Sequence, residues 1–162
     1  MTQEMGRCAE EIRTCWQESE VALQRGDTDG ANRAFGHAFE VVDTFPAIEE
    51  DDVRVLQFLC VLTWVKVSAS LEVTGQEEEA HEARLQVFSL LDEMYTANPT
   101  TAGHIWPTSD FMRGFESEEA VDLVGRLYLL CSKAGRADSI LWGRLFMDLD
   151  LRIHGDNPPT VN

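Results

Sequence analysis

Arg25-Gly26-Asp27-Thr28-Asp29-Gly30-Ala31 is the stretch on which the fold turns. An apolar-periodic run ends at its glycine, a polar tetrad follows, and a small residue opens the next run. The same form returns at Thr74-Gly75-Gln76-Glu77-Glu78-Glu79-Ala80 and at Ala134-Gly135-Arg136-Ala137-Asp138-Ser139-Ile140. Glycine is the common stop of a helix, and short polar residues open the next one. Each stretch therefore predicts a reversal between two helices, and the chain reads as helical hairpins.

Outward from these turns, the spacing predicts six helices. The first covers about Glu4 to Arg25, with Cys8, Ile12, Cys15, Ser19, Ala22 and Leu23 as its inner stripe. The second covers about Thr28 to Thr44, where Ala31, Phe35, Ala38, Phe39 and Val42 recur at three- and four-residue steps before Pro46 stops it. The third, Glu50 to Thr74, has little polar face and is expected to be covered on most sides. The fourth, from Gln76 to Tyr95, carries Glu77, Glu78 and Glu79 in its first turn, where they suit the helix dipole. Ser117-Glu118-Glu119 opens the fifth, which ends at Lys133, and the sixth runs from Ala137 to Ile153. Residues 96–116 form the one long irregular segment, and a loop of that length is usually functional or mobile. Residues 1–153 are read as one helical domain and 154–162 as a flexible tail.

The composition narrows the function. The chain has 162 residues and is 44% apolar, enough for a compact core. Its formal charge is −16, of which residues 1–50 hold −7, residues 51–108 hold −6 and the remainder −3. Such a field repels nucleic-acid phosphates and anionic membranes and attracts a basic protein. Cys8, Cys15, Cys60 and Cys131 form no C-x-x-C pair, and each sits in an apolar stretch. They read as reduced thiols of a cytoplasmic protein. The first seven residues hold no apolar signal region, and Arg54, Gln57, Lys66 and Glu72 interrupt the apolar segment Val53 to Val73. That segment reads as a central core helix rather than a membrane span.

Gly26-Asp27, Ala31, Phe35 and Ala38 reproduce the G-D-x-x-x-A-x-x-x-[FY]-x-x-A stretch of tetratricopeptide (TPR) repeats, and the first hairpin resembles that family. The second hairpin keeps Gly75 and Ala80, and the third keeps Gly135. The turn glycines lie 49 and 60 residues apart, against the family's spacing of about 34. The W-x-x-L-G-x-x-Y half of the motif is not present on the first helix. Two architectures follow: three stacked TPR-like antiparallel hairpins, or an irregular six-helix bundle. The resemblance implies a groove lined by the first helix of each pair. Counted back from the turn glycines, its residues are Arg13, Trp16, Glu20 and Gln24 on the first helix, Leu62, Val65 and Glu72 on the third, and Asp122, Arg126 and Lys133 on the fifth.

No arrangement in the sequence calls for catalysis. His37, His81, His104 and His154 have no second histidine one turn away, and there is neither H-E-x-x-H nor a glycine-rich phosphate loop. Glu49-Glu50-Asp51-Asp52 lacks the glycine of a calcium loop and reads as a helix start. His104, Trp106 and Asp110 cluster in the long segment, with Trp106 before Pro107 as a natural lid or anchor. No metal or cofactor is expected. The expected function is a non-enzymatic domain that binds a basic or mixed-charge protein or peptide in a helical groove. The other reading is a small acidic inhibitor or immunity-type protein that neutralises a basic toxin or nucleic-acid-binding protein.

Overall fold

A computed structural model of the chain describes residues 3–47, 49–97 and 117–155. Among these residues there are six helices: α1 (Gln3–Gln24), α2 (Thr28–Thr44), α3 (Glu50–Val73), α4 (Glu77–Ala97), α5 (Glu118–Lys133) and α6 (Ser139–His154). The protein is all-α, and the helices form three antiparallel hairpins, α1 with α2, α3 with α4, and α5 with α6. Internal contacts gather in two compact units, Met1–Met94 and Tyr95–Asn162.

The three turns share one hydrogen-bond pattern. Gly26, Gly75 and Gly135 have φ of 73°, 78° and 69°, and no other described residue has positive φ. At the first turn the Gly26 amide donates to Leu23 O at 3.0 Å and the Asp27 amide to Ala22 O at 2.8 Å. Gly75 and Gln76 repeat this to Glu72 O and Leu71 O, and Gly135 and Arg136 repeat it to Ser132 O and Cys131 O. This paired closure satisfies carbonyls that a helix end leaves open, and it needs a left-handed residue at the first position past the cap. The glycines the sequence singles out are those residues. The following helix begins one or two residues later than the sequence spacing alone implies, at Glu77 and Ser139, because Gln76 and Arg136 are still closing the preceding helix.

The starts and stops have local causes. Asp27 caps α2 by accepting from the Gly30 amide at 2.8 Å, and Ser117 caps α5 by accepting from the Ala120 amide at 3.2 Å. Phe45 precedes Pro46 and is extended, at φ −66° and ψ 127°, because the proline ring disfavours helical geometry in the residue before it. Glu49 holds the cap position of α3 without a side-chain cap bond. His154 belongs to the last turn of α6 rather than to the tail.

In the unit Met1–Met94, α1 buries Met5, Cys8, Ala9, Ile12, Cys15, Trp16 and Ser19, and α2 answers with Ala31, Ala34, Phe35 and Ala38. The small alanines let the two helices approach. α3 lies against both α1 and α2 as well as pairing with α4. From Asp52 onward only Val53, Glu72 and Val73 of α3 are exposed, as expected for a helix with little polar face. Asp52–Val73 is long and apolar enough to cross a membrane by length and composition, and its apolar window is half buried within the protein. Phe39 of α2 packs on Trp64 of α3 with ring centroids 4.9 Å apart.

In the unit Tyr95–Asn162, α5 and α6 meet through two reciprocal glycine–aromatic contacts. A Cβ on Gly125 of α5 would lie 2.9 Å from Phe146 Cε2 of α6, and a Cβ on Gly143 of α6 would lie 3.0 Å from Tyr128 Cε1 of α5. Each glycine is the seat of the other helix's ring. That explains two glycines inside helices, where glycine otherwise costs about 1 kcal/mol against alanine.

Candidate functional site

The residues the resemblance assigns to a groove have different fates. Trp16 of α1 is buried, and its Nε1 donates to Thr63 Oγ1 of α3 at 3.1 Å; Thr63 in turn donates to Leu59 O at 2.7 Å. Leu62 and Val65 are also buried. These three side chains hold helices together and present no surface to a partner while that packing stands. Arg13 is half-buried and ion-paired with Glu10. Glu20 is exposed and accepts from Lys66 Nζ at 2.8 Å, so Trp16–Thr63 and Glu20–Lys66 lie along one α1–α3 seam. Glu72 turns to the other side of α3 and pairs with Arg84 of α4. Gln24 is exposed at the end of α1. In the other unit, Asp122 and Arg126 are exposed and pair with each other at 3.2 Å, one turn apart, and Lys133 is exposed at the end of α5. His104, Trp106 and Asp110 lie outside the described residues.

What stands open on the unit Met1–Met94 is acid. Glu4, Glu11 and Glu18 repeat every seven residues along the exposed face of α1, and Glu78, Glu79, Glu82 and Glu93 are exposed on α4. Four bases of the same unit are drawn into ion pairs. Arg13 pairs with Glu10, Arg33 with Asp27 at 4.0 Å, Lys66 with Glu20, and Arg84 with Glu72 and Glu77. His37 shares a hydrogen bond with Glu11 at 3.1 Å. The outward carboxylates exceed the cations beside them, so this surface carries a negative field.

Sequence reading missed a polar cluster in the unit Tyr95–Asn162. Tyr95, in the last turn of α4, donates from Oη to Asp138 Oδ2 at 2.7 Å and accepts from Trp142 Nε1 at 3.1 Å. Arg136 closes a fork on the same carboxylate, with Nε 3.1 Å from Oδ1 and an η-nitrogen 3.1 Å from Oδ2. Burial alone would raise the Asp138 pKa, but the Arg136 guanidinium and the Tyr95 hydroxyl outweigh it and hold the carboxyl below its ordinary range. Burial and the adjacent carboxylate push the Tyr95 hydroxyl well above its usual value. Asp138 therefore spends its carboxylate on this cluster and makes no side-chain cap to α6, although it sits at the cap position. The only sequence signal was an acid in the third turn. Its partner Tyr95 is 43 residues away, and nothing local names it.

The thiols are quiet. Burial raises Cys8, Cys15 and Cys60 to about 11 and Cys131 to about 12, with neighbouring carboxylates adding to the effect. Thiols so placed stay protonated near neutral pH and are poor nucleophiles. Among the described residues, no group of three or more His, Cys, Asp or Glu is placed to hold a metal ion. His154 bridges Asp150 of its own helix and Glu118 of α5, at 2.9 and 3.4 Å, and these hydrogen bonds raise its pKa.

No protein-family model, curated protein or solved structure matches the chain.

Proposed function

We propose that the chain is a non-enzymatic, cytoplasmic protein-interaction domain of TPR-like hairpins whose acidic unit binds a basic or mixed-charge protein or peptide. The observation that carries this reading is the imbalance on the unit Met1–Met94. Arg13, Arg33, Lys66 and Arg84 are engaged by acids of the same unit, while carboxylates on α1 and α4 remain outward. A surface of that kind repels nucleic-acid phosphates and speeds encounter with a cationic partner. The repeated glycine closure and the small residues Ala31 and Ala38 support the family likeness of the first hairpin. Of the residues the resemblance assigns to a groove, Glu20, Gln24 and Glu72 are the exposed ones on this unit.

The same charge supports the reading of an acidic inhibitor that neutralises a basic toxin or nucleic-acid-binding protein. The two differ in kinetics. An inhibitor steered by charge loses association rate steeply as salt rises, whereas a groove that also uses apolar contacts loses less.

The test is affinity capture with the intact chain, followed by titration of the purified partner over a range of salt. Reversing Glu4, Glu11 and Glu18 to Lys is expected to slow association and flatten its salt dependence. Micromolar or tighter binding to DNA or RNA at about 150 mM salt overturns the proposal, since that range is typical of basic non-specific binders.

A further inference from the structure

α6 carries apolar side chains on two opposite faces. Trp142, Leu145 and Leu149 form the face buried in the hairpin. Ile140, Met147 and Leu151 lie on the other side and are 62%, 65% and 66% exposed. At about 100° per residue, these three and the exposed Arg144 fall within an arc of about 60°. A surface helix ordinarily has one apolar stripe, and an array of hairpins ordinarily ends on a polar face. No other helix among the described residues exposes more than two large apolar side chains.

The spacing of this stripe says what fits it. Ile140, Arg144, Met147 and Leu151 follow one another at steps of four, three and four, the spacing of a coiled-coil seam. That order reads the same in both directions. A second α6 laid antiparallel places Ile140 opposite Leu151 and Arg144 opposite Met147, and does so twice about a two-fold axis. Arg144 is a cation in the middle of the stripe with no ion pair among the described residues. Asp148 follows Met147 and flanks the stripe on the Arg144 side, so the antiparallel partner brings its Asp148 within about one residue's rise of Arg144.

We propose that the exposed face of α6 is a two-fold interface at which a second copy of this chain docks antiparallel, with Ile140, Met147 and Leu151 forming the seam and Arg144 pairing with Asp148 of the partner subunit. The contact is isologous, as in most homodimers, so it closes and does not propagate. The seam is about 17 Å long and falls short of the roughly 1,600 Å² of a standard interface. The dimer is accordingly weak, in the micromolar range, and exchanges with monomer.

Sedimentation of the full chain over a concentration series tests this. The expected result is an average mass rising from 18.2 kDa toward twice that value with concentration. Met147→Glu is expected to hold the chain monomeric with an unchanged melting temperature, because the side chain is exposed. Arg144→Glu and Asp148→Arg are each expected to weaken the dimer about tenfold, and the double exchange to restore it. A chain that stays monomeric into the hundreds of micromolar overturns the proposal. So does a dimer that survives Met147→Glu, or a double exchange no better than the single ones.

Discussion

The Tyr95 hydroxyl stands 2.7 Å from Asp138 Oδ2 and is itself 3.1 Å from the Trp142 indole nitrogen, so one phenol ties the last turn of α4 to the start of α6. Tyr95→Phe keeps the ring and removes both bonds, taking one donor from Asp138 Oδ2, which Arg136 still holds, and the hydroxyl acceptor from the Trp142 N–H. The expected cost is about 1.5–3 kcal/mol in chemical denaturation, the range for losing a hydrogen bond to a charged group. Trp142 fluorescence should shift in the folded state of that variant. A variant as stable as the parent would mean that water replaces the phenol at no loss.

The same cluster sets a pH dependence whose sign follows from its shifts. The Asp138 carboxyl is held below its ordinary value of 3.8, so its contribution is present above that value and is lost as pH falls through the lower folded one. The Tyr95 hydroxyl is raised above 10.0, so its contribution is full below that pH and is lost as pH climbs beyond it. Stability measured against pH should therefore decline below about pH 4 and above about pH 10. Tyr95→Phe should remove the tyrosine's share of the alkaline decline, while the share of the four raised thiols and part of the acid decline remain.

The two helix glycines of the last hairpin make a contrast with a third. Gly125→Leu and Gly143→Val push side chains into Phe146 and Tyr128, and each should cost about 1–3 kcal/mol, typical of overpacking. Gly36, exposed on α2, has open space where its Cβ would stand. Gly36→Ala should stabilise by about 0.5–1 kcal/mol through propensity alone. Thermal melts of the three variants separate the roles.

These glycines also show where the sequence is legible and where it is not. Gly26, Gly75 and Gly135 could be read because the closure they make is local: the bonds span five residues and need positive φ at one of them. Six helices and their pairing follow from that and from apolar periodicity. Gly125 and Gly143 give no such signal, since the ring that needs each glycine sits on another helix. The groove set mixed core with surface for a related reason. Counting back from a turn fixes a position along a helix, but Trp16, Leu62 and Val65 face neighbours whose packing the count does not contain. The second apolar face of α6 was present in Ile140, Met147 and Leu151, yet a buried and an exposed apolar residue look alike until the hairpin partner is placed.

Ala31 tests the first hairpin most directly. It is 1% exposed in the face that α2 turns to α1, with Ala38 at 0% one stripe further along. A glutamate there would bring a carboxylate into the buried apolar face that α2 turns to α1. Burying an unpaired charge and overfilling the crossing act in the same direction, and the expected loss is on the order of 3 kcal/mol or more. Ala31→Gly opens the crossing without adding a charge and should cost only about 1 kcal/mol, from propensity. If Ala31→Glu melts within a degree or two of the parent, α1 and α2 do not cross at this residue, and the α1–α2 packing described above is wrong.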